Sequence, residues 1–241
     1  MFETGDMIMA EGVLKTVITL DEEQFTGRYI NAAKIDVINK NGTISTKYVD
    51  LTALVQALID SKSGEMRYHQ IGKLPQGFFD GQIVRDDQNE ISGRILVTAS
   101  KCKTYISFEN SRFTACCPAF LFNFEIDQGR IRSTKVYALK GTTWNNDTKL
   151  YNCPFGNVAT NDHHVCWGSN SLPHIDSLHK LDVVVSMFYD SPYNNDYYRP
   201  GVSIKWKCNN LREVLTRLEK QEEFPERLLV PTGITIKDLY K

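Results

Sequence analysis

The apolar and polar positions alternate in different ways along the chain, and the change of rhythm predicts its elements. Residues 12–20 and 34–50 carry clustered β-branched side chains around an Asn41-Gly42 pair, which predicts strands joined by a hairpin. Leu51, Leu54, Val55 and Leu58 then recur at helical spacing, with Asp50 placed to cap the helix and a stop expected near residues 61–64. Residues 65–93 are crowded with turn formers and read as a linker.

Strands return in the middle of the chain. Residues 93–109 read as one strand or a pair. Residues 119–139 alternate through Phe122, Phe124 and Ile126, turn at Asp127-Gln128-Gly129 and resume through Ile131, Val136 and Ala138. This pattern predicts a hairpin with one face buried. A long loop over residues 150–174 follows. Residues 178–191 are strongly apolar and fit helix or strand, with the valines at 183–185 leaning towards strand. Residues 209–223 form the clearest helix: Leu211, Val214, Leu215 and Leu218 make its apolar stripe, and Asn210 with Glu213 makes a capping box. The expected class is α+β, with an N-terminal α/β extension over residues 1–90 and an antiparallel β-meander with flanking helices over residues 91–241.

Charge and composition narrow the function classes. Lys plus Arg number 28 against 29 acidic residues, a net charge of -1, so the bulk charge supplies no footprint for nucleic acid. No apolar run approaches the roughly 18 residues of a membrane span, and residues 1–13 lack a basic segment followed by an apolar one. A soluble, cytoplasmic protein is expected, with its six cysteines (102, 116, 117, 153, 166, 208) as free thiols. No P-loop or other Gly-rich phosphate motif is present.

Candidate chemistry concentrates in residues 150–174, where three readings stand side by side. Cys153, His163, His164, Cys166, His174 and His179 are all legitimate zinc ligands, but their spacing matches no usual ligand pair. Packing is the expected role of Cys102, Cys116, Cys117 and Cys208 in strand-like or apolar surroundings, and of Cys153 beside Pro154 and Phe155. Cys166 differs, because it follows a polar run and precedes Gly168 and Ser169. A thiol there can act as a nucleophile on an activated acyl group, with a donor for the developing oxyanion, and Asn157 at the start of the loop is the candidate donor. His163 and His164 are candidates for lowering the thiol pKa or taking a proton from an amine. Asp162, Asp176 and Tyr151 are weaker candidates for the same task.

The run "CPFGNVATNDHHVCWG" resembles the active-site segment of ubiquitin-conjugating (E2) enzymes, with Asn157-Val158 and Val165-Cys166 on the matching positions. A wider pattern resembles a prokaryotic E2-like family, protein B of the PRTRC (ParB-related, ThiF-related cassette) system. It runs through Pro118 to Phe122, Val136 to Leu139, Thr148 to Tyr151, Pro154-Phe155, Asn157-Val158 and Val165 to Ser169. Phe155-Gly156 stand where eukaryotic E2s have His-Pro, nine rather than eight positions separate Asn157 from Cys166, and Trp167-Gly168 follow the cysteine.

The resemblance implies an E2-like core and a conjugating enzyme of a bacterial mobile-element cassette. Cys166 would accept a ubiquitin-like modifier as a thioester from a ThiF/E1-like activating enzyme and pass it to an amine. Asn157 would stabilise the oxyanion or hold the loop. No cofactor is implied, since the activating enzyme consumes the ATP. The alternatives are a non-catalytic E2-like binding module and a structural zinc protein.

Overall fold

The computed structural model describes residues 13–19, 32–62, 72–86 and 88–240. The chain divides into two compact units, residues 1–68 and 69–241.

In the first unit, strands β1 (Val13–Thr19), β2 (Ala32–Asn39) and β3 (Ile44–Asp50) form an antiparallel sheet in chain order. The predicted turn closes β2 on β3: Gly42 takes the left-handed conformation that a side chain would oppose (φ +82°), and Asn41 Oδ1 accepts from the Thr43 N–H at 3.1 Å. Helix α1 (Leu51–Lys62) starts where Asp50 Oδ1 accepts from the Ala53 N–H at 3.0 Å. Leu51, Leu54 and Leu58 are half-buried, whereas Val55 points outward and is 47% exposed. Residues 63–71, on which the end of the expected helix stop and the start of the expected linker fall, lie outside the described residues.

The second unit is built on a six-stranded antiparallel sheet in the order β11-β10-β9-β8-β5-β4. Its strands are β4 (Phe78–Arg85), β5 (Ile91–Ala99), β8 (Ala119–Asp127), β9 (Arg130–Leu139), β10 (Lys149–Asn152) and β11 (Pro231–Thr235). Between β5 and β8 the chain leaves this sheet as a two-stranded arm, β6 (Cys102–Phe108) and β7 (Ser111–Cys117), closed by a two-residue turn. Helices α2 (Leu181–Asp190) and α3 (Leu211–Glu219) follow the long loop. The predicted cap of α3 forms, with Asn210 Oδ1 accepting from the Glu213 N–H at 3.0 Å, and Glu213 reaches back to the Asn209 N–H at 3.2 Å.

Several expectations are corrected by tertiary pairing. Residues 78–85, inside the expected linker, are a sheet strand; Gly77, Asp80 and Gly81 look like turn punctuation, but the segment gains a partner in β5 and sits at the edge, where one ladder suffices. The loop after the meander begins with β10, and the expected helical C-terminal part also supplies β11, which pairs with β10. Residues 181–190 are helical rather than extended: Leu181, Val184 and Phe188 are buried at spacings of three and four, so packing overrides the preference of the valines for strand.

The β8–β9 hairpin turns at Gln128 and Gly129 as expected (φ +47° and +69°), but both of its faces are buried. Phe120, Phe122 and Phe124 meet the α2 side, where Phe188 stands edge-on to Phe122 with ring centroids 5.3 Å apart. Leu121, Tyr137 and Leu139 face the other way and are covered by Leu150, Ile236 and Leu239.

Candidate active site

The segment after β10 is pinned to the core before it reaches the chemistry. Cys153 and Phe155 are buried, and Phe155 packs against Phe120 and Tyr193 at centroid distances of 6.0 and 5.6 Å. Gly156 lies so close to the Asn194 carbonyl that an added Cβ would stand 2.1 Å from its oxygen. No side chain fits there, which accounts for the glycine physically.

Residues 157–166 then fold back on themselves as a small antiparallel loop. Val158 pairs with Val165, the Ala159 N–H donates to the His164 carbonyl at 3.0 Å, and the Cys166 N–H donates to the Asn157 carbonyl at 2.8 Å. The loop is also stitched to β9, through Val136 N–H to the His163 carbonyl (3.0 Å) and Val165 N–H to the Thr134 carbonyl (2.8 Å). Asn157 and Cys166, nine positions apart in sequence, are therefore opposite each other, a placement that brings Cβ atoms to about 4.5–5.5 Å. Val158 and Val165 point into the core while the Cys166 thiol is exposed, as alternation along an extended strand requires.

A cleft of about 280 Å³ opens beside the thiol, lined by Asn157, Cys166 and the turn 167–170 on one side and by residues of the 191–197 segment on the other. Two hydrogen bonds hold the walls together. Asn157, only 7% exposed, donates from Nδ2 to the Pro192 carbonyl at 3.2 Å, and Asn170 Nδ2 donates to Ser191 Oγ at 3.0 Å. Ser191 in turn donates to the Met187 carbonyl at 2.6 Å, so the end of α2 fixes this wall. Asp196 brings a carboxylate to the cleft, accepting from Asn194 Nδ2 at 2.8 Å. This second wall was not singled out as a site from sequence, because its turn residues show no periodicity and lie some thirty positions from Cys166.

The remaining candidates fall elsewhere. His163 has a left-handed backbone (φ +63°) and lays its ring on Tyr137, with centroids 4.5 Å apart; burial pushes its pKa down, favouring the neutral ring. His164 is exposed two positions before Cys166, and its N–H donates to Asp162 Oδ1 at 3.1 Å. Neither histidine lines the cleft. Asp176 pairs with Lys180 at 2.8 Å, and the Lys140 ammonium sits 4.5 Å over the Tyr151 ring.

The six possible zinc ligands do not assemble. Cys153 is buried, Cys166 is exposed, His174 pairs with Glu90 at 2.9 Å and His179 with Ser177 at 2.8 Å. Among the described residues, no group of three or more His, Cys, Asp or Glu is arranged to hold a metal ion. Nor is any helix among them long and apolar enough to cross a membrane.

The second unit is thus an α+β domain in which an exposed cysteine, opposed by a buried asparagine, stands at the rim of a cleft. The family model for prokaryotic E2 family D matches residues 52–232, three-quarters of the chain, and the protein belongs to that family. This agrees with the resemblance to prokaryotic E2-like proteins read from the sequence. No curated protein and no solved structure matches the chain.

Proposed function

We propose that the protein is an E2-like carrier that accepts a ubiquitin-like modifier on Cys166 from a ThiF/E1-like enzyme and transfers it to an amine. The observation that carries this reading is the exposed Cys166 thiol facing Asn157 at the rim of a cleft, in a chain of prokaryotic E2 family D.

The chemistry follows from the groups present. The Cys166 thiolate attacks the carbonyl carbon of the modifier's thioester on the activating enzyme, and the activating enzyme's thiolate leaves from the tetrahedral intermediate. An amine then attacks the new thioester, the Cys166 thiolate leaves, and the proton shed by the amine nitrogen passes to solvent. Both intermediates carry an oxyanion that needs a donor. The Cys166 N–H is already committed to the Asn157 carbonyl, so it does not serve. The Asn157 amide has two N–H groups, one of them bound to Pro192, and the other is assigned to the oxyanion. Asp196 is the carboxylate on the cleft wall and is assigned to hold the incoming amine.

The test is mass spectrometry of the protein incubated with a ThiF/E1-like enzyme, a ubiquitin-like modifier and ATP. The expected result is a thiol-sensitive adduct on the wild type, none on Cys166→Ala, and a thiol-resistant ester on Cys166→Ser. An activating enzyme that charges itself but never charges Cys166 would leave a non-catalytic binding module.

A further inference from the structure

Away from the cleft, the β6–β7 arm carries a second arrangement of thiols. The turn at Glu109-Asn110 sets a register that runs without a bulge from Phe108 opposite Ser111 to Cys102 opposite Cys117. The two cysteines are the first residue of one strand and the last of the other, so they close the ladder. Directly opposed residues of an antiparallel pair have Cα atoms about 4.5 or 5.5 Å apart, and both spacings lie within the range a disulfide spans. Alternation places both side chains on the face that also carries Ile106, Phe108 and Ala115, the face packed into the core. Cys116 turns the other way and donates to the Gln221 carbonyl at 3.0 Å.

The pair is asymmetric. Cys102 is exposed, whereas Cys117 is 1% exposed. The Cys117 thiol opposite it brings Cys102 down to about 7 against the opposing effect of burial. The same contact, with burial, pushes Cys117 well up. One sulfur is therefore reachable and ionised near neutral pH, and its neighbour is sheltered and protonated. Reactive cysteines of redox proteins divide labour in this way between an attacking and a resolving thiol. Cys116 and Cys153, the other thiols within electrostatic reach, are buried, and burial pushes both up, Cys153 to about 12.

We propose that Cys102 and Cys117 are a redox-active dithiol that closes to a disulfide under a peroxide-class oxidant and reopens with a dithiol reductant. In the first step the Cys102 thiolate attacks one oxygen of hydrogen peroxide; the S–O bond forms, the O–O bond breaks, and hydroxide leaves and takes a proton to become water. In the second step the Cys117 sulfur attacks the sulfenic sulfur of Cys102; the S–S bond forms, the S–O bond breaks, and a second water leaves with the Cys117 proton. Two thiols lose two electrons and one peroxide is reduced to two waters. The bond ties the start of β6 to the end of β7 beneath α2 and is independent of any reaction at Cys166.

The test treats the full chain with hydrogen peroxide, blocks the remaining thiols with an alkylating agent and maps the cysteines by mass spectrometry. The wild type should lose the mass of two hydrogens, yield a cross-linked pair of peptides containing Cys102 and Cys117, and return to the free thiols with dithiothreitol. Cys166→Ser should behave identically. Cys102→Ser should bring the cross-link to background, and in Cys117→Ala the Cys102 sulfenic acid should be captured by dimedone. Circular dichroism checks that the buried Cys117→Ala folds; if it does not, Cys102→Ser at the exposed position carries the comparison. A cross-link to another cysteine, or irreversible oxidation of Cys102 while Cys117 stays alkylatable after denaturation, would overturn the proposal.

Discussion

Cys166 and Cys102 are both exposed cysteines opposed by a residue on a neighbouring antiparallel segment, yet they face different partners. Across from Cys166 stands Asn157, whose amide is tied to Pro192. Across from Cys102 stands a second thiol, Cys117. The first sulfur borders a cleft of about 280 Å³ with a carboxylate on its far wall; the second lies at the exposed start of β6, beside a thiol that belongs to the core. Register thus decides what each thiol meets. An amide opposite a thiol supplies donors for an acyl oxyanion, whereas a thiol opposite a thiol supplies a disulfide.

The largest expected effect that separates the two sites comes from the opposing amide. Asn157→Ala should slow discharge of a Cys166 thioester about 10²–10³-fold if the amide is the oxyanion donor. Oxidation of Cys102 should be unchanged in the same variant. Single-turnover discharge kinetics measure this, and a variant that discharges normally would reduce Asn157 to a tether for Pro192.

A smaller effect is expected from the wall of the first site. Gly156→Ala drives a Cβ against the Asn194 carbonyl and must part residues 153–157 from the 192–197 segment. A destabilisation of about 1–3 kcal/mol follows by analogy with overpacked cores, to be read in thermal or denaturant unfolding. Alkylation of Cys166 should quicken as the cleft opens, while Cys102 should react as before.

The smallest effect is a difference in pH dependence. A thiol lowered to about 7 is protonated and slow below that pH and reaches its full thiolate population soon above it. Labelling of Cys102 should therefore level off above about pH 8, where an ordinary thiol keeps gaining thiolate. Because nucleophilicity falls with pKa, the net advantage of Cys102 over an ordinary thiol at neutral pH should be only about fivefold. Cys153 and Cys117, both pushed up, should stay unlabelled. Peptide-resolved alkylation across the pH range measures all of them together, and a Cys102 profile that rises without a plateau would remove the thiolate from the argument.

Local signals in the sequence carried the elements whose partners lie nearby. The Asn41-Gly42 turn, the Asp50 cap, the Gln128-Gly129 turn and the Asn210–Glu213 box are each decided by atoms within a few residues, and each forms as expected. Cys166 was also legible, since a polar run before it and glycine after it marked an exposed thiol. The wall at residues 191–197 was not, because its relation to Cys166 passes through α2, an element whose valines favour a strand. Nor was the pairing of Cys102 with Cys117, since nothing local to either cysteine names the strand position opposite it.

Hydrophobic rhythm, capping residues and the charge balance were enough to establish an antiparallel α+β chain with a singular cysteine in a loop. They act through neighbours in sequence, so they can be read one segment at a time. The helical state of residues 181–190, the second buried face of the β8–β9 hairpin and the opposition of Asn157 to Cys166 depend on contacts between segments far apart in the chain. Those contacts are formed by packing and register, and the energies that select them exist only once the segments are brought together.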